Sequence, residues 1–191
     1  MELKTNLLNP KNFNRSLSEL QEYLLLCIFV SSKTAKFATQ KVNELMHLLN
    51  WPEFPLDILK TKNQEEIESL LKKIKSGQYK RISNCLYQLS KSDLDLNHCS
   101  AEDLESIPGI GMKTSRFFIV YSRDVKDYCI LDTHILKWLR EQGYNAPKAT
   151  PSGNKYKLLE YSFLQECKKR NLTPQELDLE IWKSRQKSWI V

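Results

Sequence analysis

The run IPGIGMKTS, Ile107 to Ser115, and the tetrapeptide LDTH, Leu131 to His134, decide how this chain is read. Pro108, Gly109 and Gly111 form a turn, because glycine enters backbone angles closed to other residues. A helix that opens directly after such a turn leaves its first N–H groups without partners inside the helix. Those amides, with the positive end of the helix dipole, make a cradle for phosphate. Lys113 stands at the start of this helix and Asp132 at the start of the next, 19 positions on. Between them fit a helix from about Met112 to Ser122, a short turn, and an apolar approach through Tyr128, Cys129, Ile130 and Leu131. Phosphate binding alone needs neither the lysine nor the aspartate as a pair.

Outward from this motif, almost every apolar stretch has helical spacing, which predicts an all-α fold. Ser16 with Glu19 makes a capping box for a helix to about Val30, with Leu17, Leu20, Leu24, Cys27 and Ile28 as its apolar stripe. Thr34 opens a second helix to about Leu49, ended by Trp51 and Pro52. Asn63 with Glu66 starts a third that stops near Gly77, and Gln78 to Ser90 reads as a fourth. Ser100 with Asp103 caps the short helix before the turn, and Asp132 caps one that Gly143 stops near Gln142. After the loop from Asn145 to Asn154 come a helix over Lys155 to Arg170 and a last one, capped by Thr173, Pro174 and Glu176.

At 191 residues and 41% hydrophobic the chain has material for a packed core. Its 29 basic against 23 acidic side chains give a net charge of +6, which favours a polyanionic partner. The longest apolar stretch, Tyr23 to Val30, is too short to span a bilayer, and the segment from Met1 to Arg15 lacks the layout of a secretory signal. An intracellular location, cytoplasm, nucleoid or nucleus, is therefore expected. Cys27, Cys85, Cys99, Cys129 and Cys167 are scattered and odd in number, so neither a disulfide framework nor a zinc site is expected.

The combination of IPGIGMKTS with LDTH resembles the helix-hairpin-helix DNA glycosylases, whose pattern is L-P-G-[VI]-G-x-K-[TV]-A followed by a V-D-T-H-like helix start. The resemblance implies two helical lobes. One would hold residues 34–130, with the helix-hairpin-helix at about 100–122; the termini, 1–33 and 131–191, would build the other, and the active site would lie in the cleft between them. It implies that Lys113 attacks the anomeric carbon of a flipped-out nucleotide and forms a Schiff base that permits strand cleavage. Asp132 would activate this nucleophile and stabilise charge on the sugar, besides capping its helix.

DNA-backbone contacts are expected from Gly109, Ile110, Gly111, Met112, Thr114 and His134. Family members whose four closely spaced cysteines near the C-terminus bind an iron–sulfur cluster differ from this chain, where only Cys167 lies in that region. No cluster and no other required cofactor is expected, while a monovalent cation on the hairpin carbonyls is compatible with the family.

The stretch ELDLEIW, Glu176 to Trp182, looks like the D-L-x-[LI]-W stretch of the small 8-oxoguanine glycosylases that lack the cluster. Asp178 and Trp182 are thus base-pocket candidates, the indole offering a flat face to a purine. The stretch departs from that subfamily at Lys183 and in the terminal Ile190 and Val191. Ser32 and Lys33 lie where the family places residues that enter the duplex. The leading expectation is a monomeric bifunctional DNA glycosylase and AP lyase that removes 8-oxoguanine from double-stranded DNA. The alternatives are removal of oxidised pyrimidines or mismatched bases on the same scaffold, or a noncatalytic DNA-binding protein.

Overall fold

The hydroxyl of Ser16 accepts the Glu19 amide, and the Glu19 carboxylate accepts the Ser16 amide, closing the capping box that starts α1, Leu17–Phe29. The computed structural model describes residues 12–31 and 33–186, and among the described residues every regular element is a helix. α1 is buried around almost its whole circumference rather than along one stripe, with Leu24 and Leu25 wholly enclosed and Leu17 exposed at its first turn. Each such enclosed leucine contributes about 1.5–3 kcal/mol to burial. The helix is therefore the centre of the first unit, where α2, Ala35–Leu48, and α3, Pro55–Lys60, pack on it.

The chain gathers into two compact units that divide between Ile110 and Gly111. The first continues through α4, Gln64–Lys73, α5, Tyr79–Lys91, and the short α6, Ala101–Glu105. The second holds α7, Met112–Ser122, α8, Thr133–Glu141, α9, Gly153–Arg170, and α10, Pro174–Gln186. α1 packs with α2 and α3 inside the first unit, and α7 opens the second.

Asn63 and Ser100 close capping boxes with Glu66 and Asp103 as their spacing predicts, and Thr173 does so with Glu176. α3 was not expected: Pro55 occupies its first turn and Phe54 supplies no side-chain cap, so the usual polar start signal is missing. α5 also starts without a side-chain cap, from Gln78 in the left-handed region at φ 47°. No helix among the described residues is long and apolar enough to cross a membrane.

Candidate active site

The hairpin closes the first unit. Ile107 and Ile110 are buried, and the Ile110 amide donates to the Ile107 carbonyl at 3.0 Å. Gly109 has φ +97°, and a Cβ there would stand 2.9 Å from Cβ of Cys85 and 3.4 Å from the Arg81 carbonyl oxygen. Glycine is thus required at this position by backbone angle and by space. Gly111 behaves differently: its φ of −98° is ordinary extended backbone, and a Cβ would meet open space. The expectation of special angles at both glycines holds only for Gly109.

A brace that the sequence did not reveal fixes the turn. Nη1 of Arg81 donates to the Gly109 carbonyl at 3.0 Å, and Nε donates to Oε1 of Gln78 at 2.5 Å. Arg81 lies 28 residues before Gly109, so only the packing of α5 beneath the hairpin shows the pairing. The Gly109 carbonyl thus accepts a guanidinium and the Ile107 carbonyl a backbone amide.

α7 opens the second unit without a side-chain cap at Gly111, whose carbonyl accepts the amides of Thr114 and Ser115. The amides of Met112 and Lys113 lie before the first intrahelical bond and belong to the positive end of the helix. The Ile110 amide, committed to Ile107, is not part of that cradle. Met112 turns its side chain onto the core of this unit, so only its backbone serves the helix start. Lys113 and Thr114 are half-buried.

Asp132 caps α8, its Oδ1 accepting the amides of His134 and Ile135, each at 2.8 Å. The extended segment leading to it is held by α9. Glu160 accepts the Cys129 amide at 3.0 Å; the Tyr156 hydroxyl donates to the Cys129 carbonyl at 2.9 Å and accepts the Leu131 amide at 3.1 Å. Glu160 is paired with the enclosed Arg116 of α7 at 3.3 Å, and that guanidinium lies over the rings of Tyr128 and Tyr156. This network satisfies backbone groups that would otherwise be stranded in an apolar core. His134, half-buried, takes part in the cap through its backbone.

α10 contributes Asp178 to the same unit. The Tyr121 hydroxyl donates to its Oδ2 at 2.5 Å. Asp178 is half-buried, and desolvation pushes its carboxyl up to about 7; the Tyr121 bond pulls it down, Asp132 raises it further, and Lys113 lowers it. Burial and the neighbouring carboxylates hold the Tyr121 hydroxyl well above the ordinary phenol range. Lys113, Tyr121, Asp132 and Asp178 therefore form one electrostatically connected group. Tyr121 was missed in the sequence, where it is one aromatic among several on α7. Trp182, one turn after Asp178, is 45% exposed, which excludes a purely core role for its indole.

Lys33 is exposed, with its ammonium over the Phe37 ring at 5.3 Å. Ser32, Ile190 and Val191 lie outside the described residues. All five cysteines are buried free thiols, and burial pushes Cys85 and Cys167 up to about 12. No group of three or more metal-ligating side chains occurs among the described residues.

Residues 5–172 match the family model Ogg-HhH, 8-oxoguanine DNA glycosylase. An 8-oxoguanine DNA glycosylase/AP lyase of Picrophilus torridus is 34% identical over 79 residues, a match spanning 41% of this chain and 37% of that protein. The crystal structure of Methanocaldococcus jannaschii 8-oxoguanine glycosylase/lyase, in complex with a 15-mer DNA containing 8-oxoguanine, superposes with a TM-score of 0.66 at 25% identity. That superposition covers 91% of this chain and 84% of that one. The 8-oxoguanine DNA glycosylase of Thermotoga maritima shares the fold, with a TM-score of 0.64 at 19% identity over 86% of this chain and 78% of that one. The chain belongs to the helix-hairpin-helix 8-oxoguanine DNA glycosylase family.

Proposed function

We propose that this protein excises 8-oxoguanine from double-stranded DNA and cuts the resulting abasic strand, using Lys113 as nucleophile. The observation that carries this reading is the pairing, within one compact unit, of Lys113 at an uncapped helix start with Asp132 at a capped one. The amine of Lys113 attacks C1′ of the extruded nucleotide as the bond to the base breaks. Asp132, held by two amides, presents a fixed carboxylate to the positive charge that develops on the sugar. Opening of the sugar leaves a Schiff base on Lys113, from which β-elimination cleaves the strand.

The DNA backbone is received by Gly109, Ile110 and Gly111 of the hairpin and by the first amides of α7 at Met112 and Lys113, with Thr114 and His134 at the two helix starts. The net charge of +6 supports this partner. The exposed indole of Trp182 stacks on the extruded base, with Asp178 beside it on α10; Lys33 and Ser32 approach the duplex. The enzyme works as a monomer inside the cell and requires no cofactor.

Borohydride trapping tests the reading. The protein is incubated with duplexes carrying one 8-oxoguanine, thymine glycol, uracil or abasic site, then reduced. A covalent complex with 8-oxoguanine and abasic duplexes is expected, faster than with the other lesions. Binding without any trapped complex would leave only the noncatalytic alternative, and faster trapping on thymine glycol or uracil would replace the substrate.

A further inference from the structure

One carboxylate oxygen ties α7, which carries Lys113, to the extended segment that ends at Asp132. Oε1 of Glu160, on α9, accepts the Nε–H of Arg116 at 3.3 Å and the backbone amide of Cys129 at 3.0 Å. Arg116 lies one turn after Lys113 on α7, and Cys129 lies three residues before Asp132. Tyr156 stands one turn before Glu160 on the same face of α9. Its hydroxyl donates to the Cys129 carbonyl and accepts the Leu131 amide, and the Arg116 guanidinium lies over its ring at 5.4 Å. Thr150 completes the hold by donating its hydroxyl to the Leu131 carbonyl at 2.9 Å. Both polar backbone groups of Cys129 and both of Leu131 thus end on side chains, and the Asp132 amide turns back to the Ile130 carbonyl at 2.8 Å.

We propose that Glu160 and Tyr156 are positioning residues of this active site: through Arg116 they register α7, and with it Lys113, against the segment that ends in Asp132. The inference rests on the reading of Lys113 as nucleophile and Asp132 as its partner carboxylate. The cap bonds of Asp132 fix it to its own helix, α8, and leave its relation to α7 open. Glu160 closes that relation, because a single oxygen receives a donor from each side. A charged acceptor holds two such donors more strongly than a neutral amide oxygen would. Arg116, Tyr156 and Glu160 are all buried, so the link is made inside the core of the unit and its geometry is fixed by packing. Rate is sensitive to this kind of support, since a displacement of about 1 Å at the reacting atoms costs on the order of 10²-fold.

Single-turnover excision on an 8-oxoguanine duplex, borohydride trapping on an abasic duplex and duplex affinity by fluorescence anisotropy are measured together, at a temperature where each variant is fully folded by circular dichroism. Tyr156→Phe keeps the ring and removes the hydroxyl that holds Cys129 and Leu131. Its excision and trapping should both fall at least about tenfold while affinity stays within about twofold. Glu160→Gln keeps an acceptor for the Cys129 amide and loses the ion pair with Arg116; both rates should fall about 10²-fold. The double variant Arg116→Met/Glu160→Gln removes the unpaired buried charge that Glu160→Gln leaves, so its denaturation midpoint should recover. Its excision should not, because α7 is no longer tied to the segment. Tyr144→Phe is the control: it removes a hydrogen bond to Glu166, on the same helix but outside this network, and its rates should stay within about twofold. If Glu160→Gln does not fold, Tyr156→Phe and the double variant decide.

Rates within about twofold of the unmodified protein in Tyr156→Phe overturn the proposal. So does excision that recovers together with stability in the double variant, or an equal loss of rate in Tyr144→Phe; either would leave a network that only holds the fold. Slowing confined to 8-oxoguanine duplexes, with abasic trapping intact, would also overturn it by making the network a support for base recognition. Absence of trapping by the unmodified protein is a separate failure, that of the glycosylase–lyase reading, and takes this one with it.

Discussion

In the first unit the hairpin is a local turn with one long-range brace, Arg81 on the Gly109 carbonyl; in the second, Lys113, Tyr121, Asp132 and Asp178 come from three separate helices. The turn works through backbone: angles, amides, and a glycine with no room for a methyl group. The cluster works through side-chain charge: Tyr121, Asp132 and Lys113 act on the Asp178 carboxyl, and Asp178 and Asp132 on the Tyr121 hydroxyl. Substitutions in the hairpin should therefore appear as changes in stability and DNA affinity. Those in the cluster should appear as changes in rate and pH dependence.

The largest expected effect breaks the comparison on the chemical side. Lys113→Gln should abolish borohydride trapping and slow strand cleavage by roughly 10⁴-fold or more, the scale seen when a covalent nucleophile is lost, while duplex binding measured by fluorescence anisotropy stays within a few-fold. Full cleavage by the variant would remove Lys113 from the mechanism. Asp132→Asn keeps an acceptor for the α8 amides and removes charge; single-turnover excision should fall about 10²-fold with little change in affinity. A variant that excises normally would leave Asp132 as a helix cap and nothing more.

The two hairpin glycines sharpen the structural side. Gly109→Ala forces a side chain into the left-handed region and against Cys85, and should cost about 2–4 kcal/mol in denaturant unfolding. Gly111→Ala meets open space at an ordinary φ, and stability should stay within about 0.5 kcal/mol. On the proposed reading, in which the start of α7 receives a phosphate, its methyl group should lower duplex affinity roughly tenfold, about 1.4 kcal/mol. Equal losses of stability in the two variants would contradict the difference in their surroundings.

The same contrast explains what could be read in the sequence. Capping boxes at Ser16, Asn63 and Ser100, the boundaries of α7, and Asp132 as the cap of α8 are signals within four residues, and the structure carries each one. Lys113 and Asp132 were legible because each stands next to such a local signal. α3 was not, since its start relies on Pro55 and the burial of Leu56 and Leu59 rather than on a polar cap. Arg81 and Tyr121 were invisible for a related reason: their partners lie 28 and 57 residues away and depend on helix packing. Leu17 has the right spacing for a buried stripe but is exposed, because it opens the first turn of α1, whose burial begins at Ser18.

The smallest predicted effect concerns stability, and it joins the two sides. The Asp178 carboxyl ionises near about 7 in the folded protein against an ordinary value of 3.8. Between these values the native state holds more protons than the unfolded chain, so stability falls as pH rises through the window. The contribution is absent well below the ordinary value and levels off above the raised one. Asp178→Asn removes the ionisation while keeping the shape and an acceptor for Tyr121. Its melting temperature, relative to the unmodified protein, should thus climb from pH 5 to pH 8 by a few degrees and then stay level. A difference that is constant with pH would mean that Asp178 is not a strained carboxylate in the fold. A rising difference would show a carboxyl retained at a cost in stability.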